Sequence, residues 1–317
     1  MLIVKSPLRI SFFGGSSDYE DFYKSHGSFI IGTTIDKYCY LSMRPRPKIL
    51  SDDNVIVYSK LQCTKNIDEI QNPLIREILK YKKIGFPVEL FTFTDVPSRT
   101  GLGGSSSFCV GLLYIINNIL KIPFTKRSLA EEAIYIERKL LNESGGIQDQ
   151  IWASYGGLNT IEINTNGEFF VKPLAVTEDF KREIEDSIVL VYTNHQREQS
   201  EIANSHKNKN KTSILELARE AHSSFLKEDI QNIGTLLHQS WKEKSAISNY
   251  ISNGEIDIII ADVMNMGAYG AKLLGAGGCG FVMVLCNPKV KQSIIEKYKS
   301  AILDFRFSND GVNTIYK

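Results

Sequence analysis

The stretch Gly101-Leu102-Gly103-Gly104-Ser105-Ser106-Ser107 has the plainest chemical meaning in the chain. A β-rich run, Val88 to Val96, precedes it, and a long apolar run, Phe108 to Leu120, follows. Glycines let a backbone approach an anion with no Cβ in the way. The start of a helix offers unpaired N–H groups and about half a positive charge. Three serines add hydroxyl donors, one of which could reach a metal ion. The stretch reads as a phosphate cradle; a serine N-cap after a tight turn is the plainer alternative. It lacks the GxxxxGK[ST] pattern, so it is not a P-loop of the familiar kind.

Two carboxylates stand out further along. On a helical wheel Glu137 lies central to Ala130, Ala133, Ile134, Leu140 and Leu141. A carboxylate in an apolar stripe is costly without a partner. A metal ion or an arginine would supply one, and so would a salt bridge at a domain edge. Asp149 sits in Gly145-Gly146-Ile147-Gln148-Asp149-Gln150, one carboxylate between two amides. That is the form of a general base, and equally that of a helix N-cap. Arg9 lies in the strand leading to Gly14-Gly15-Ser16-Ser17-Asp18, either at an edge or aimed into a site. Gly275, Gly277 and Gly280 match GxGxxG, but between a helix and a strand, the wrong context for a dinucleotide. A close-packing turn beside another backbone or a ligand suits them better. The histidines (26, 195, 206, 222 and 238) show no ligand spacing, and none is assigned to zinc.

These residues need elements to hold them. The pattern predicts strands over Leu2 to Phe13, Phe29 to Met43 (one or two), Asn54 to Ser59, Val88 to Val96, Leu158 to Ile163, Phe169 to Val171, Ile188 to Thr193, Phe281 to Cys286 and Val312 to Tyr316. Helical spacing covers Pro73 to Lys82, Phe108 to Leu120, Ser128 to Leu141, Gln148 to Tyr155, Ile214 to Lys227, Ile230 to Ser245, Glu255 to Met266 and Lys289 to Ala301. Lys181 to Asp186 is very polar. Asn204 to Thr212 reads as a solvated loop, or more sharply as a basic lid over an anionic ligand.

Composition narrows the classes. The chain has 317 residues, enough for roughly two domains and a large core. Hydrophobic residues are 43% and charged residues 23%, which excludes a disordered or collagen-like chain. Net charge is +1, and no basic–aromatic stripe is present, against a nucleic-acid binder. Five dispersed cysteines with no CxxC suggest neither disulfide framework nor metal site, so a cytoplasmic location is expected. No apolar run reaches the ~20 residues of a membrane helix. The N-terminus lacks signal-peptide order.

In this order the pieces resemble the GHMP kinases, the family of galactokinase, homoserine kinase, mevalonate kinase and phosphomevalonate kinase. Pro7-Leu8-Arg9 through Gly14-Gly15-Ser16-Ser17-Asp18 is similar to its first motif. Pro97-x-x-x-Gly101-Leu102-Gly103-Gly104-Ser105-Ser106 is similar to the second, and Lys272-Leu273-Leu274-Gly275-Ala276-Gly277-Gly278-Cys279-Gly280 to the third. The segment Gly146-Ile147-Gln148-Asp149-Gln150, with Trp241 and Lys242, resembles the bacterial branch acting on a heptose 7-phosphate; fucokinase-type relatives share much of the pattern. Gly104 stands where the family's phosphate loop usually starts its Ser/Thr run, Ser17 where Thr is common, and Cys279 where Gly is frequent.

The resemblance implies an α+β fold in two domains. The first, residues 1–180, would be a nucleotide-binding domain of a type shared with a ribosomal protein. The second, 181–317, would be ferredoxin-like, with the active site between them. It implies transfer of the ATP γ-phosphoryl to the anomeric hydroxyl of a sugar phosphate, for surface polysaccharide synthesis. Gly101, Leu102, Gly103, Gly104, Ser105, Ser106 and Ser107 would bind ATP. Ser105 and Glu137 would hold Mg²⁺. Asp149 would be the base, with Arg9 as catalytic partner. Asp18, Ser17, Gly15, Gly146 and Gly278 would bind substrate, and Gly277 and Gly278 would pack against the nucleotide loop. Lys37, Arg44, Arg99 and Arg197 are candidates for the substrate's own phosphate. A monomer or homodimer is expected, with no nucleic-acid or membrane partner. The alternatives are a fucokinase- or galactokinase-like enzyme and a non-catalytic sugar sensor.

Overall fold

The computed structural model describes every residue except 48, 51–52, 194–203 and 208. Alternating burial in the first half of β1 (Leu2–Phe13) gives way to continuous burial from Ser6 onward. A strand covered on both faces reads as such an unbroken run. β1 pairs antiparallel with the 18-residue β2 (Ser28–Pro45), and its register shifts between Pro7 and Leu8 and again between Ser11 and Phe13. Such bulges re-aim side chains. The first sheet continues through β5 (Val88–Thr94), β3 (Asn54–Val57) and β4 (Leu61–Thr64), while β6 (Asn159–Ile163) and β7 (Phe169–Pro173) extend from β2.

A second sheet runs β11-β8-β10-β9, all antiparallel: Ile302–Leu303, Ile188–Tyr192, Phe281–Leu285 and Gly270–Leu273. The chain then returns to the first sheet. β12 (Phe307–Ser308) pairs with β2, and β13 (Asn313–Tyr316) pairs with β1. One hydrophobic cluster bridges the two sheets, including Phe12 and Phe13 of β1, Phe225, and Phe281 and Met283 of β10. Phe12 meets Phe225 edge-on with ring centroids 5.7 Å apart. The architecture is α+β.

Helices complete the layers: α1 (Glu20–His26), α2 (Pro73–Tyr81), α3 (Gly104–Ile119), α4 (Lys126–Tyr135), α5 (Gln148–Tyr155), α6 (Glu178–Ser187), α7 (Thr212–Leu226), α8 (Ile230–Ala246), α9 (Gly254–Asn265) and α10 (Pro288–Tyr298). α3 and α5 lie on β1 and β2, and α8 on β9. In α3, a Cβ on Gly111 would sit 2.6 Å from Leu41 Cδ1, so any larger residue there would displace the Leu41 side chain.

Sequence pattern and structure part in several places. α1, β4, β11 and β12 were not expected. The polar run at 181–186 lies inside α6, which buries only Phe180, Ile184 and Ser187, a helical face among charges. β9 stands between the expected helix and the last glycine loop, over residues assigned to no element; its four residues gain strand form by pairing with β10. The helix expected through Leu141 ends as α4 at Tyr135 and continues as a π-helical turn, Ile136–Leu140.

Candidate active site

Two glycine loops meet backbone to backbone, and Gly101 and Gly275 both line one cavity. A Cβ on Gly275 would lie 2.4 Å from Gly101 Cα, and one on Gly280 would lie 2.3 Å from Thr100 O. This is the close-packing turn expected of the GxGxxG stretch. Gly277 and Gly278 pack elsewhere, against Ile251: Gly278 N donates to Ile251 O at 2.8 Å. Asn253 Nδ2 donates to Gly278 O at 3.0 Å. Gly278 is therefore not brought to the cavity.

That cavity has a volume of about 1130 Å³. The first turn of α3 opens onto it. Gly103, at φ +77°, starts the helix in a left-handed conformation that glycine favours. Gly104, Ser105 and Ser106 follow on the cavity wall, with N–H groups that have no upstream helical carbonyl. Leu102 is buried, and its carbonyl accepts from Arg9 N at 3.0 Å, so the loop is stitched to β1. Ser107 faces away, donating to Ser6 O at 2.9 Å.

Three consecutive side chains at the start of α5 organise the rest. Gln148 donates from its backbone N (3.1 Å) to Asp18 Oδ2 and from Nε2 (3.2 Å) to Oδ1. Asp149 accepts two bonds from Arg9, Nε to Oδ1 at 2.8 Å and Nη2 to Oδ2 at 2.7 Å. Gln150 Nε2 donates to Glu137. Asp149 is thus no N-cap; Ile147 occupies that position. Arg9 is aimed inward, and its Nη1 donates to Gly101 O at 2.5 Å. The Asp149 carboxylate lies against the glycine loop, 3.4 Å from where a Cβ on Gly103 would be.

Glu137 projects from the π-helical turn, a form frequent at functional sites. Ser106 Oγ donates to it at 2.8 Å and Ser105 Oγ at 3.4 Å. Burial pushes its carboxyl pKa up, against the lowering effect of Arg138. All its hydrogen-bonding side chains are neutral, so a buried carboxylate here has room for a cation partner. Among the described residues no three His, Cys, Asp or Glu side chains cluster as a metal cage. A divalent cation would take one carboxylate and serine oxygens here and complete its shell from phosphate and water, as Mg²⁺ does. The donor set fits that ion.

Asp18 is 1% exposed, and its Oδ1 also accepts from Ser16 N at 3.1 Å. Burial raises its pKa, and the Asp149 charge adds to that. Gly146 makes the arrangement possible, because a Cβ there would sit 1.8 Å from Asp18 Oδ2. Gly15 lines the cavity beside Ser11 and Gln148. Ser17 does not: it is fully buried, donates to Gly14 O at 2.6 Å and lies 2.6 Å from Ser28 Oγ.

Lys37 pairs with Asp36 and Arg44 with Glu89, away from the cavity; Arg99 lines it, and Arg197 lies outside the described residues. Two cations that the sequence did not single out for this role line the cavity instead, Lys244 of α8 and Lys272 of β9. The segment read as a solvated loop is partly folded in. His206 stacks on Tyr19, with ring centroids 5.6 Å apart, and its Nε2 lies 2.7 Å from Ala276 O. Burial and Lys244 hold its pKa down at about 4. Lys211 is fully buried over the Tyr19 ring, 3.6 Å from Asp21.

The family model for the GHMP kinases N terminal domain matches residues 72–157, and that for the GHMP kinases C terminal matches residues 221–302. The chain belongs to the GHMP kinases, ATP-dependent phosphotransferases. It is 30% identical to a D-glycero-alpha-D-manno-heptose 7-phosphate kinase of Campylobacter jejuni, over 98% of this chain and 97% of the relative. A galactokinase of Pyrococcus furiosus is 26% identical over 92% of this chain and 91% of its own. The fold matches that of a D-glycero-D-manno-heptose 1-phosphate kinase of Bacteroides thetaiotaomicron with a TM-score of 0.81 at 24% identity, covering all of both chains. Among the described residues, no helix is long and apolar enough to cross a membrane.

Proposed function

We propose that this chain is a sugar kinase that moves the ATP γ-phosphoryl to the anomeric hydroxyl of D-glycero-D-manno-heptose 7-phosphate, giving the 1,7-bisphosphate. The observation that carries the chemistry is the Arg9–Asp149 pair held against the glycine loop. The substrate reading is supported by the full-length similarity to the Campylobacter heptose 7-phosphate kinase.

In this reading the N–H groups of Gly101 to Ser106 and the N-terminal end of α3 hold the ATP phosphates. Ser105 and Glu137 would hold Mg²⁺, whose charge would offset that on the transferring phosphoryl group. Asp149 accepts the proton of the anomeric hydroxyl as that oxygen bonds to the γ-phosphorus and the bond to the β-phosphate oxygen breaks, releasing ADP. Positioned general-base catalysis of this kind contributes ~10²–10⁴-fold. Arg9 fixes both carboxylate oxygens, so the base keeps one orientation. Asp18, locked by Ser16 and Gln148, accepts from a sugar hydroxyl. The nucleotide half is residues 1–180 together with the returning strands β12 and β13, and the second half is the rest of 181–317, with the reaction between them.

The test is ADP release with Mg²⁺-ATP across a panel: the heptose 7-phosphate, sedoheptulose 7-phosphate, mannose 6-phosphate, fucose, galactose and mevalonate. Turnover confined to the heptose phosphate is expected. Turnover with fucose or galactose instead would discard the substrate and keep the kinase. No turnover with any would point first to a substrate outside the panel and second to a sugar sensor.

A further inference from the structure

Lys244 and Lys272 are 5% and 4% exposed, and both line the cavity. Neither forms an ion pair with a carboxylate among the described residues, whereas Arg9 and Lys211 at the same end do. Each ammonium makes one bond to a backbone carbonyl: Lys244 to Gly275 O, and Lys272 to Phe12 O at 2.8 Å. An ammonium has three donors, so two on each remain. Asp149 is paired with Arg9, while Asp18 is hydrogen-bonded by Ser16 and Gln148 and bonds neither lysine, although its charge favours the Lys244 ammonium. The buried cations Arg9, Lys244 and Lys272 set against these two carboxylates leave positive charge in excess, and its cost falls when an anion joins the lysines. Burial and mutual repulsion with Arg9 accordingly depress the pKa of both lysines.

Their place along the cavity shows which anion. The glycine loop is stitched to β1 at Arg9, while Lys272 is tied to β1 at Phe12. Those points are three residue steps apart along the strand, ~10 Å at about 3.3 Å each. Lys272 is thus displaced from the loop toward Gly15, where Ser11 Oγ and Gln148 Oε1 also lack partners. Lys244 is bonded to Gly275, beside Gly101 of the loop, and its charge acts on both Lys272 and Asp18, so it stands between the loop and the Gly15 end. A hydroxyl and an amide oxygen suit sugar hydroxyls, and paired ammonium groups suit a dianion beyond them.

We propose that Lys244 and Lys272 form a phosphate-monoester subsite at the acceptor end, which makes the enzyme select a sugar already carrying a phosphate. This rests on the kinase reading above and assigns residues to its substrate preference. Neither lysine was among the four cations that the sequence suggested.

The experiment compares ADP release with the heptose 7-phosphate and with the same heptose lacking its phosphate, in the wild type and in Lys244→Gln, Lys244→Arg and Lys272→Met. Calorimetric titration with inorganic phosphate accompanies it. The wild type should prefer the phosphorylated sugar by at least about 10- to 100-fold in kcat/KM, the scale of a charge-assisted bond or two. Lys244→Gln should cut that preference at least tenfold through KM for the phosphorylated sugar, and Lys244→Arg should restore most of it. Equal loss with both sugars would overturn the proposal. So would a rise in KM for ATP in place of the sugar phosphate, which would assign the lysines to the nucleotide. Should Lys272→Met not fold, the Lys244 pair decides alone. Phosphate binding lost in Lys244→Gln, with no sugar turned over, would keep the subsite and refute the kinase reading. Turnover without preference would do the reverse.

Discussion

Asp149→Asn tests the centre of the proposed mechanism, because it removes one negative charge and little volume. Arg9 now reaches both carboxylate oxygens, at 2.8 and 2.7 Å. With an amide, one oxygen becomes an NH₂ that faces the guanidinium donor to donor, and the other bond loses its charge assistance. A hydrogen bond to a charged group is worth ~1.5–3 kcal/mol. Asp149 is partly open, at 23% side-chain exposure, so water offsets some of the loss and the lower figure applies. Across 317 residues the unfolding entropy is about 0.67 kcal/mol/K, so Tm should fall by only ~2–3 °C. The rate effect should be larger. Losing a positioned base costs ~10²–10⁴-fold, or about 2.7–5.5 kcal/mol of barrier. Single-turnover ADP formation reads the chemical step, and fluorescent-nucleotide titration reads ATP affinity. The expected result is a slow step with ATP binding within about threefold of wild type. Turnover within threefold of wild type would remove Asp149 as the base. A loss explained wholly by weaker ATP binding would return the Arg9 pair to loop support.

Glu137→Gln should raise the Mg²⁺ concentration for half-maximal activity by about tenfold, since it removes the one carboxylate of the proposed ion site; an unaltered Mg²⁺ dependence would return Glu137 to a structural role. Gly146→Ala places a methyl 1.8 Å from Asp18 Oδ2, so Asp18 must move. Overpacking of this kind costs ~1–3 kcal/mol, and KM for the sugar should rise while KM for ATP holds; an unchanged sugar KM would separate Asp18 from acceptor binding. Lys244, whose pKa burial and Arg9 lower to about 8, faces Arg9, Lys272, His206 and Asp18. It loses its charge as pH rises through that value, so kcat/KM for the phosphorylated sugar should fall above pH 8. Lys244→Arg, charged throughout, should remove that fall; a fall that persists in the Arg variant would assign the titration to another group.

The residues legible in the sequence share one property: their chemistry is written into a short stretch of chain. The loop at 101–107, the Gly-x-Gln-Asp-Gln segment and the strand carrying Arg9 each announce a local conformation, and the structure joins all three. What local pattern does not carry is which hydroxyl faces which way. Ser105 and Ser106 turn to Glu137, while Ser107, one residue on, turns to β1. Ser17 lies beside Asp18, yet the turn buries its hydroxyl against Gly14 and Ser28. Gly278 faces Ile251 for an equally distant reason, the packing of the loop before α9.

Lys244 is the instructive omission, because a signal for it existed. The helical-wheel test that singled out Glu137 gives the same answer over α8. Ile233, Leu237, Ser240, Trp241 and Lys244 recur at helical spacing, and all are buried. A lysine in that stripe either reaches water through its stem or meets an anion. Its burial excludes the first. Glu137 and Lys244 are then the same kind of evidence with opposite sign: a buried carboxylate calling for a cation, and a buried ammonium calling for an anion, which the proposed subsite supplies. Between them stand Arg9 and Asp149, already paired with each other and so in no need of a ligand for neutrality. On the proposed reading, a site with these charges would accommodate a metal-bound nucleotide and a phosphorylated sugar, with the neutral pair where the phosphoryl group crosses.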